Sequence, residues 1–243
     1  MILRLLMSRR QRRSGRTPRV PAPESTSIAG VLLGVSIVMA VVHLPLLNFG
    51  YIRVGILAKV LAIVFLLAYA ERPGIPRPLL AALGLSALAD LLLALMGVVA
   101  ITPEFLFLCG LGVFLLAHLC YILLFLRRRE KGELALSRRF RMAVVVTALA
   151  LLLWQLWPNL GAMMIPCVIY AVVLAAMAIS AQLSRLPEIT SFGALLFFAS
   201  DAMLAWARFH GIFPFAAVLV WASYYAAQVC IARGVVRSAV PRS

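Results

Sequence analysis

Charged residues are scarce in this sequence, and acidic residues are the scarcest of them. Only 13% of the 243 residues are charged, and Asp and Glu together contribute eight residues against 23 Lys and Arg. Soluble globular domains carry about 25% charged residues. Because 64% of the residues are also apolar, the composition excludes an ordinary soluble protein and indicates that most of the chain lies in lipid.

Several signatures of catalysis and metal binding are missing as well. The three histidines are far apart, no HExxH motif occurs, and the nearest approach to GxSxG, at residues 84–88, ends in Leu88. These absences argue against a serine hydrolase and a zinc enzyme, and we expect neither a metal nor a cofactor. The cysteines form no CxxC pair, so we expect them to pack within the spans and not to bind a metal or form disulfides. They are Cys109, Cys120, Cys167 and Cys230.

Eight apolar runs are each long enough to cross a membrane as a helix, which takes about 20 residues for a hydrocarbon core roughly 30 Å thick. They occupy residues 28–47, 51–69, 79–100, 105–126, 140–157, 161–183, 190–208 and 212–232. Short links with Pro, Gly or charged residues separate them. The prediction is an all-α bundle of about eight transmembrane helices at 28–234, with a basic disordered tail at 1–27 and a short tail at 235–243.

The distribution of basic residues predicts the orientation. If the amino terminus is cytoplasmic, twenty of the 23 basic residues lie on that side, whereas Arg53 and Arg208 lie outside and Lys59 lies within a span. This asymmetry places both termini in the cytoplasm. The arginine-rich tail is then explained by topology and by anionic membrane lipids, so we expect no nucleic-acid partner. Arg-rich, Lys-poor usage favours a bacterial plasma membrane, and the sequence leaves the oligomeric state open.

Asp90 and Asp201 are the acidic residues that lie near the middle of apolar runs. A carboxylate at the bilayer centre costs at least about 2.5–3.5 kcal/mol, so both are expected to face the bundle interior or a wet cavity. Each lies about twelve residues from the inner end of its span, roughly 18 Å, so the two can share one level. Since two close carboxylates cannot both ionise cheaply, we predict a catalytic pair in which one is the acid and the other the base.

Other polar residues of the spans are candidates for binding a substrate. Lys59 lies near the level of the aspartates and either neutralises one of them or binds a phosphate. Ser86 lies one turn before Asp90 and can hydrogen bond to it. A polar pocket that opens toward the cytoplasm is predicted from four residues of the fourth and eighth spans, His118, Tyr121, Tyr225 and Gln228. His118 fits the role of a buried core histidine equally well. The full candidate set is Lys59, Ser86, His118, Tyr121, Ser200, Tyr225 and Gln228.

The two aspartate segments also resemble each other weakly, since residues 89–94 and 200–205 share the order of Asp, Leu and Ala positions. Four spans separate them, so both segments run in the same direction. Two four-helix halves, related by an axis along the membrane normal, would bring the aspartates together.

Three motifs resemble the YhhN family of lysoplasmalogenase-like membrane proteins. They are residues 84–93 around Asp90, residues 193–204 around Asp201, and the spaced set Phe105, Gly110, Phe114, His118 and Tyr121. The resemblance covers residues 28–234. It implies an eight-span enzyme that hydrolyses the vinyl ether bond of a lysophospholipid substrate, lysoplasmalogen, to a fatty aldehyde and a glycerophospho-alcohol. The two intramembrane aspartates of the family match Asp90 and Asp201.

Acid–base chemistry by two carboxyl groups suits this reaction. A vinyl ether is hydrolysed by protonation of its distal alkene carbon, addition of water to the oxocarbenium ion and collapse of the hemiacetal, steps that need one proton donor and one charged carboxylate. A proton-coupled transporter or flippase of a small amphiphile is the alternative, because midplane carboxylates suit it equally. An intramembrane aspartyl protease is disfavoured because Gly-x-Gly-Asp occurs at neither aspartate.

Overall fold

The computed structural model describes residues 24–96 and 98–239, and eight α-helices make up nearly all of this part of the chain. They are α1 (Glu24–Asn48), α2 (Ile52–Ala70), α3 (Arg77–Ala94), α4 (Pro103–Arg127), α5 (Leu136–Leu156), α6 (Met164–Gln182), α7 (Glu188–Phe209) and α8 (Ala216–Ala239). All eight are long and apolar enough to cross a membrane. The predicted all-α bundle is confirmed, and the chain is a multi-pass integral membrane protein.

At two places the predicted span extends beyond the helix of the structure, because apolar residues continue into the adjoining link. The third span was predicted to reach residue 100, but α3 ends at Ala94 and the apolar chain turns before α4. The eighth was predicted to begin at residue 212, but α8 begins at Ala216. Pro214 disfavours helical geometry in the residue before it, and Phe215 has a positive φ of 61°, so the helix cannot start earlier.

The predicted tails are partly helical. Helix α1 already begins at Glu24 and α8 continues to Ala239, so both helices extend past the predicted domain limits at residues 28 and 234. The remaining tail residues, 1–23 and 240–243, lie outside the described residues. The disorder predicted for them stays a prediction.

The helices are arranged as two sequential groups that meet at the centre of the bundle. Successive helices pack against each other from α1 to α4 and again from α5 to α8. The groups are joined where α4 packs on α6 and where α8 packs on α2. Helices α1 and α5 bury the smallest share of their spans, 17% and 11%, so they lie at the periphery. The six other helices supply most of the buried residues.

The two ends of the bundle differ in their connections. We call the end where α1 starts and α8 finishes the terminal end, and the opposite end the far end. At the terminal end, Arg138 of α5 donates to Glu188 of α7 at 2.6 Å and to the backbone carbonyl of Ser184 at 2.6 Å. Arg141 donates to the same Glu188 carboxylate at 2.7 Å. These arginines therefore hold the start of α5 against the link between α6 and α7. They also add to the basic charge of the terminal end.

Helices α7 and α8 approach so closely at Gly193 that no larger residue fits. A Cβ placed at this position would lie 2.9 Å from the backbone oxygen of Ala227 and 2.8 Å from the Cβ of Cys230. Neither atom belongs to a flexible side-chain end, so the two helices would have to separate. At Gly112 of α4, in contrast, a Cβ would meet nothing within 4 Å.

Gly193→Ala should therefore destabilise the bundle by about 1–3 kcal/mol, the usual cost of overpacking. The measurement is the thermal unfolding midpoint of the purified protein in detergent. Gly112→Ala is the matched control and should leave the midpoint unchanged or slightly raised, because alanine favours the helix. Equal midpoints for the two variants would contradict the close contact between α7 and α8.

Candidate active site

Asp90 on α3 and Asp201 on α7 both lie inside the bundle. Their residues are 2% and 9% exposed, and both line one cavity of about 420 Å³. Neither carboxyl group therefore points into lipid from the outer face of its helix. The predicted convergence of the two groups on a shared cavity agrees with this geometry.

Asp90 has a charged partner and a neutral one. The Lys59 Nζ of α2 lies 2.9 Å from Asp90 Oδ1, and the Tyr224 hydroxyl of α8 donates to Asp90 Oδ2 at 2.7 Å. Lys59 also lies 5.3 Å from the centre of the Trp221 ring, where the ring face favours a cation. Of the two roles left open for Lys59 by the sequence, the structure shows the contact that neutralises an aspartate.

A chain of hydrogen bonds continues behind Asp90. Gln228 donates through Nε2 to the Tyr224 hydroxyl at 3.2 Å, and Tyr121 of α4 donates to Gln228 Oε1. All three side chains are buried. Tyr121 and Gln228 were predicted to bind substrate, but neither lines the cavity. Their hydrogen bonds reach Asp90 by way of the Tyr224 hydroxyl.

Asp201 has no Lys or Arg partner among the described residues. The Tyr170 hydroxyl of α6 donates to Asp201 Oδ2 at 2.5 Å, and His118 Nε2 of α4 lies 3.9 Å from the same oxygen. His118 Nδ1 lies 2.6 Å from the carbonyl oxygen of Phe114. Because a carbonyl only accepts, Nδ1 carries a hydrogen, and in a neutral ring Nε2 is then an acceptor. This Nε2 is buried with no hydrogen-bond partner in the described chain.

The cavity does not open where the sequence suggested. Its lining runs from the aspartates toward the far end and includes Leu47, Met96, Arg208 and Ile212, which lie at or beside far-end links. The predicted polar pocket opening toward the terminal end is therefore wrong. The side chains of α4 and α8 that suggested it fill the interior on the terminal side of the aspartates and leave the open space on the other side.

Three other candidates have contacts that differ from their predicted roles. Ser86 is buried but its hydroxyl has no hydrogen-bond partner in the described chain, so the predicted bond to Asp90 is not formed. Tyr225 faces away from the cavity and bonds Ser36 of α1 at 2.7 Å. Ser200 does line the cavity, but its hydroxyl donates to the carbonyl of Val220 at 2.9 Å.

A second, narrower cavity of about 60 Å³ lies on the other side of Asp201. Helices α4, α5, α6 and α7 enclose it, and its walls are almost entirely leucine, alanine and phenylalanine side chains. Tyr170 and Asp201 supply polar groups at its inner side. Asp201 thus borders both cavities, whereas Asp90 borders only the larger one.

Sequence reasoning missed the two tyrosines that bond the aspartates. Tyr224 could have been found, because it lies four residues before Gln228 and therefore on the same helix face. Tyr170 is a single polar residue in an apolar span, and no motif marks it. The helix packing alone reveals its position next to Asp201.

The comparisons with known proteins identify the family of the chain. The sequence profile of the YhhN family matches residues 54–235, which include both aspartates. The chain belongs to the YhhN family. Proteins named lysoplasmalogenase from Mycobacterium bovis and Mycobacterium tuberculosis are each 42% identical to it over 65% of this chain. The chain spans 60% of the length of these two relatives.

A mammalian relative is matched more evenly along its length. Lysoplasmalogenase TMEM86B from Sus scrofa is 36% identical over 76% of this chain and 76% of its own length. No solved structure matches the chain significantly. Within residues 24–96 and 98–239, no three His, Cys, Asp or Glu side chains come together as a metal site would require.

The contact between Lys59 and Asp90 can be tested through stability. Removing one partner of a buried ion pair leaves the other charge uncompensated. Lys59→Met and Asp90→Asn should each lower the unfolding midpoint in detergent, and the double variant should be less destabilised than the sum of the single variants. We expect a coupling energy of about 0.5–3 kcal/mol, as for residues in contact. Strictly additive effects would show that the two groups do not interact.

Proposed function

We propose that this chain is an intramembrane hydrolase that cleaves the vinyl ether bond of lysoplasmalogen or a related lysolipid. The observation that carries the proposal is the pair of buried carboxyl groups on one cavity, in a family whose curated relatives bear the name lysoplasmalogenase. A cavity inside a membrane bundle admits a single-chain amphiphile from the surrounding lipid. Carboxyl groups supply the acid and the base that the reaction needs.

The environments of the aspartates support different roles for them. Asp90 is held by the Lys59 ammonium and by the Tyr224 hydroxyl, which stabilise its ionised form. Asp201 is buried, and no Lys or Arg of the described chain forms an ion pair with it. Asp201 is therefore the proton donor in our proposal, and Asp90 is the charged carboxylate that stabilises the oxocarbenium ion.

The positions of the cavities support the same assignment. The carbon that accepts the proton is the distal alkene carbon, which carries the hydrocarbon chain. Asp201 borders the apolar cavity, whereas Asp90 lines only the larger and more polar one. We place the start of the alkenyl chain at the apolar cavity, which is too small for the whole chain, and the glycerol and phosphate in the larger cavity. The carbon to be protonated then lies beside Asp201.

The two carboxyl groups return to their starting states in one cycle. Asp201 gives its proton to the distal carbon, and Asp90 then accepts a proton from the water that adds to the oxocarbenium carbon. In the collapse of the hemiacetal, Asp90 gives this proton to the departing glycerol oxygen while Asp201 accepts the hydroxyl proton. One water is consumed, a fatty aldehyde and a glycerophospho-alcohol are released, and both aspartates are ready for another turnover.

The packing of the helices supports two four-helix halves related by a twofold axis along the bundle. Moving four helices along the chain converts the contact of α4 with α6 into that of α8 with α2. The same step relates Asp90, held from α2 and α8, to Asp201, held from α6 and α4. We propose that the two aspartate sites are equivalent positions of the two halves that have acquired different partners.

The membrane and orientation are also part of the proposal. Basic residues concentrate at the terminal end, whereas Arg53 and Arg208 lie at the far end. This distribution supports cytoplasmic termini, and the arginine-rich composition supports a bacterial plasma membrane. The larger cavity then opens toward the outer face of the membrane.

Asp90→Asn and Asp201→Asn should each reduce release of fatty aldehyde from lysoplasmalogen at least about 100-fold, the usual contribution of a general acid or base. The measurement is aldehyde formation by purified protein in detergent, where a transporter would release none. Glu104→Gln at the start of α4 is the control, because it changes an exposed carboxylate outside both cavities to an amide.

Two outcomes would contradict the proposal in different ways. Full activity in both aspartate variants, with unchanged folding, would exclude the acid–base pair but not the reaction. Absence of aldehyde from the wild-type protein, with transport of the intact lipid in sealed vesicles, would exclude the hydrolase and favour a transporter.

Tyr224→Phe tests whether the hydrogen bond from the Tyr224 hydroxyl to Asp90 contributes to catalysis. Loss of one hydrogen bond to a charged group costs about 1.5–3 kcal/mol, so kcat should fall roughly 10- to 100-fold. Tyr225→Phe removes the neighbouring hydroxyl, which bonds Ser36 outside the cavity, and should change kcat by less than about twofold. Similar losses in both variants would show that Tyr224 has no special role.

A further inference from the structure

Arg208 in the last turn of α7 has not been assigned a role by the site described above. It lines both the larger and the apolar cavity, and its guanidinium carbon lies 5.3 Å from the centre of the Phe107 ring of α4. No carboxylate in the described chain lies within ion-pair distance of it. Lys59, the other cation of the larger cavity, is occupied by Asp90.

These contacts make Arg208 suited to an anionic ligand. The guanidinium group lies over the Phe107 ring, whose face favours a cation. A planar guanidinium binds two phosphate oxygens at once, which is the strongest form of this recognition. Arg208 is exposed at the mouth of the larger cavity, so an anionic group can reach its guanidinium directly.

The distance from Arg208 to Asp201 matches the shape of the substrate. Seven residues separate them on one helix, which corresponds to two turns and about 10.5 Å, with both on nearly the same face. In a lysoplasmalogen, seven bonds join the phosphorus to the distal alkene carbon, and an extended chain of such bonds spans roughly 9 Å. A phosphate at Arg208 therefore allows the alkene to reach the carboxyl group of Asp201.

We propose that Arg208 binds the phosphate of the lysolipid headgroup at the mouth of the larger cavity and so sets the depth of the vinyl ether. This inference rests on the proposed function and adds a specificity determinant to it. The competing interpretation is that Arg208 only anchors the end of α7 at the membrane surface, as terminal arginines often do.

The experiment compares two substrates that differ in the phosphate. They are a lysoplasmalogen with a phosphoethanolamine headgroup and the matching 1-alkenylglycerol, which has no phosphate. In Arg208→Gln, kcat/KM for the first should fall about 10- to 100-fold, mainly through KM, because charged hydrogen bonds are lost. Hydrolysis of the alkenylglycerol should stay within about twofold of wild type, which also shows that the variant is folded.

Arg53→Gln is the matched control. Arg53 is the other basic residue of the far end and lines neither cavity. This variant should leave both substrates unaffected, whereas Arg208→Lys should restore part of the preference for phosphate, since lysine supplies charge without the planar fork.

Two results would overturn the assignment. Equal losses of kcat/KM on both substrates in Arg208→Gln would indicate a structural anchor, and unchanged kcat/KM values for both would show that Arg208 does not contact the headgroup. If the wild-type protein hydrolyses neither substrate, the proposed function itself fails.

Discussion

The ion pair between Asp90 and Lys59 is the interaction on which the polar interior of the bundle depends. Either charge alone near the bilayer centre would cost several kcal/mol, and the Lys59 Nζ lies 2.9 Å from Asp90 Oδ1, where the two charges compensate each other. The pair joins α2 to α3, and the Tyr224 hydroxyl on the second carboxylate oxygen adds α8. Gln228 donates to this Tyr224 hydroxyl, and Tyr121 donates to Gln228. The terminal side of the interior is filled as a consequence, and open space remains only toward the far end.

The difference between the two aspartates follows from this pair. A helix preceding each aspartate supplies one partner, but α2 supplies Lys59 while α6 supplies Tyr170. A lysine keeps its aspartate charged, whereas a tyrosine hydroxyl adds a hydrogen bond without adding charge. Our assignment of base and acid depends on this single difference between otherwise corresponding helices. Two identical sites would have offered two charged groups or two neutral ones, and the proposed reaction needs one of each.

The number of helices and the position of the buried carboxyl groups could be predicted because both follow from the cost of polar groups in lipid. The direction of each side chain could not, since it depends on how every helix is rotated in the bundle. Tyr224 and Tyr225 are adjacent but about 100° apart around α8. The sequence favoured Tyr225, which faces α1, while Tyr224 reaches Asp90. The predicted bond from Ser86 to Asp90 is absent for a related reason, because the Asp90 carboxylate is directed toward Lys59 of α2 and Tyr224 of α8.

The end at which the cavity opens was also beyond the sequence, and the reason concerns where free positive charge lies. Basic residues crowd the terminal end, and the polar side chains of the fourth and eighth spans suggested that the cavity would open there as well. In the structure, Arg138 and Arg141 share Glu188, and Arg138 also holds backbone carbonyls of a neighbouring link. At the far end, basic residues are few, and Arg208 lies at the mouth of the larger cavity. In our proposal, this isolated charge guides an anionic amphiphile, while the arginines at the other end stabilise a link and orient the chain.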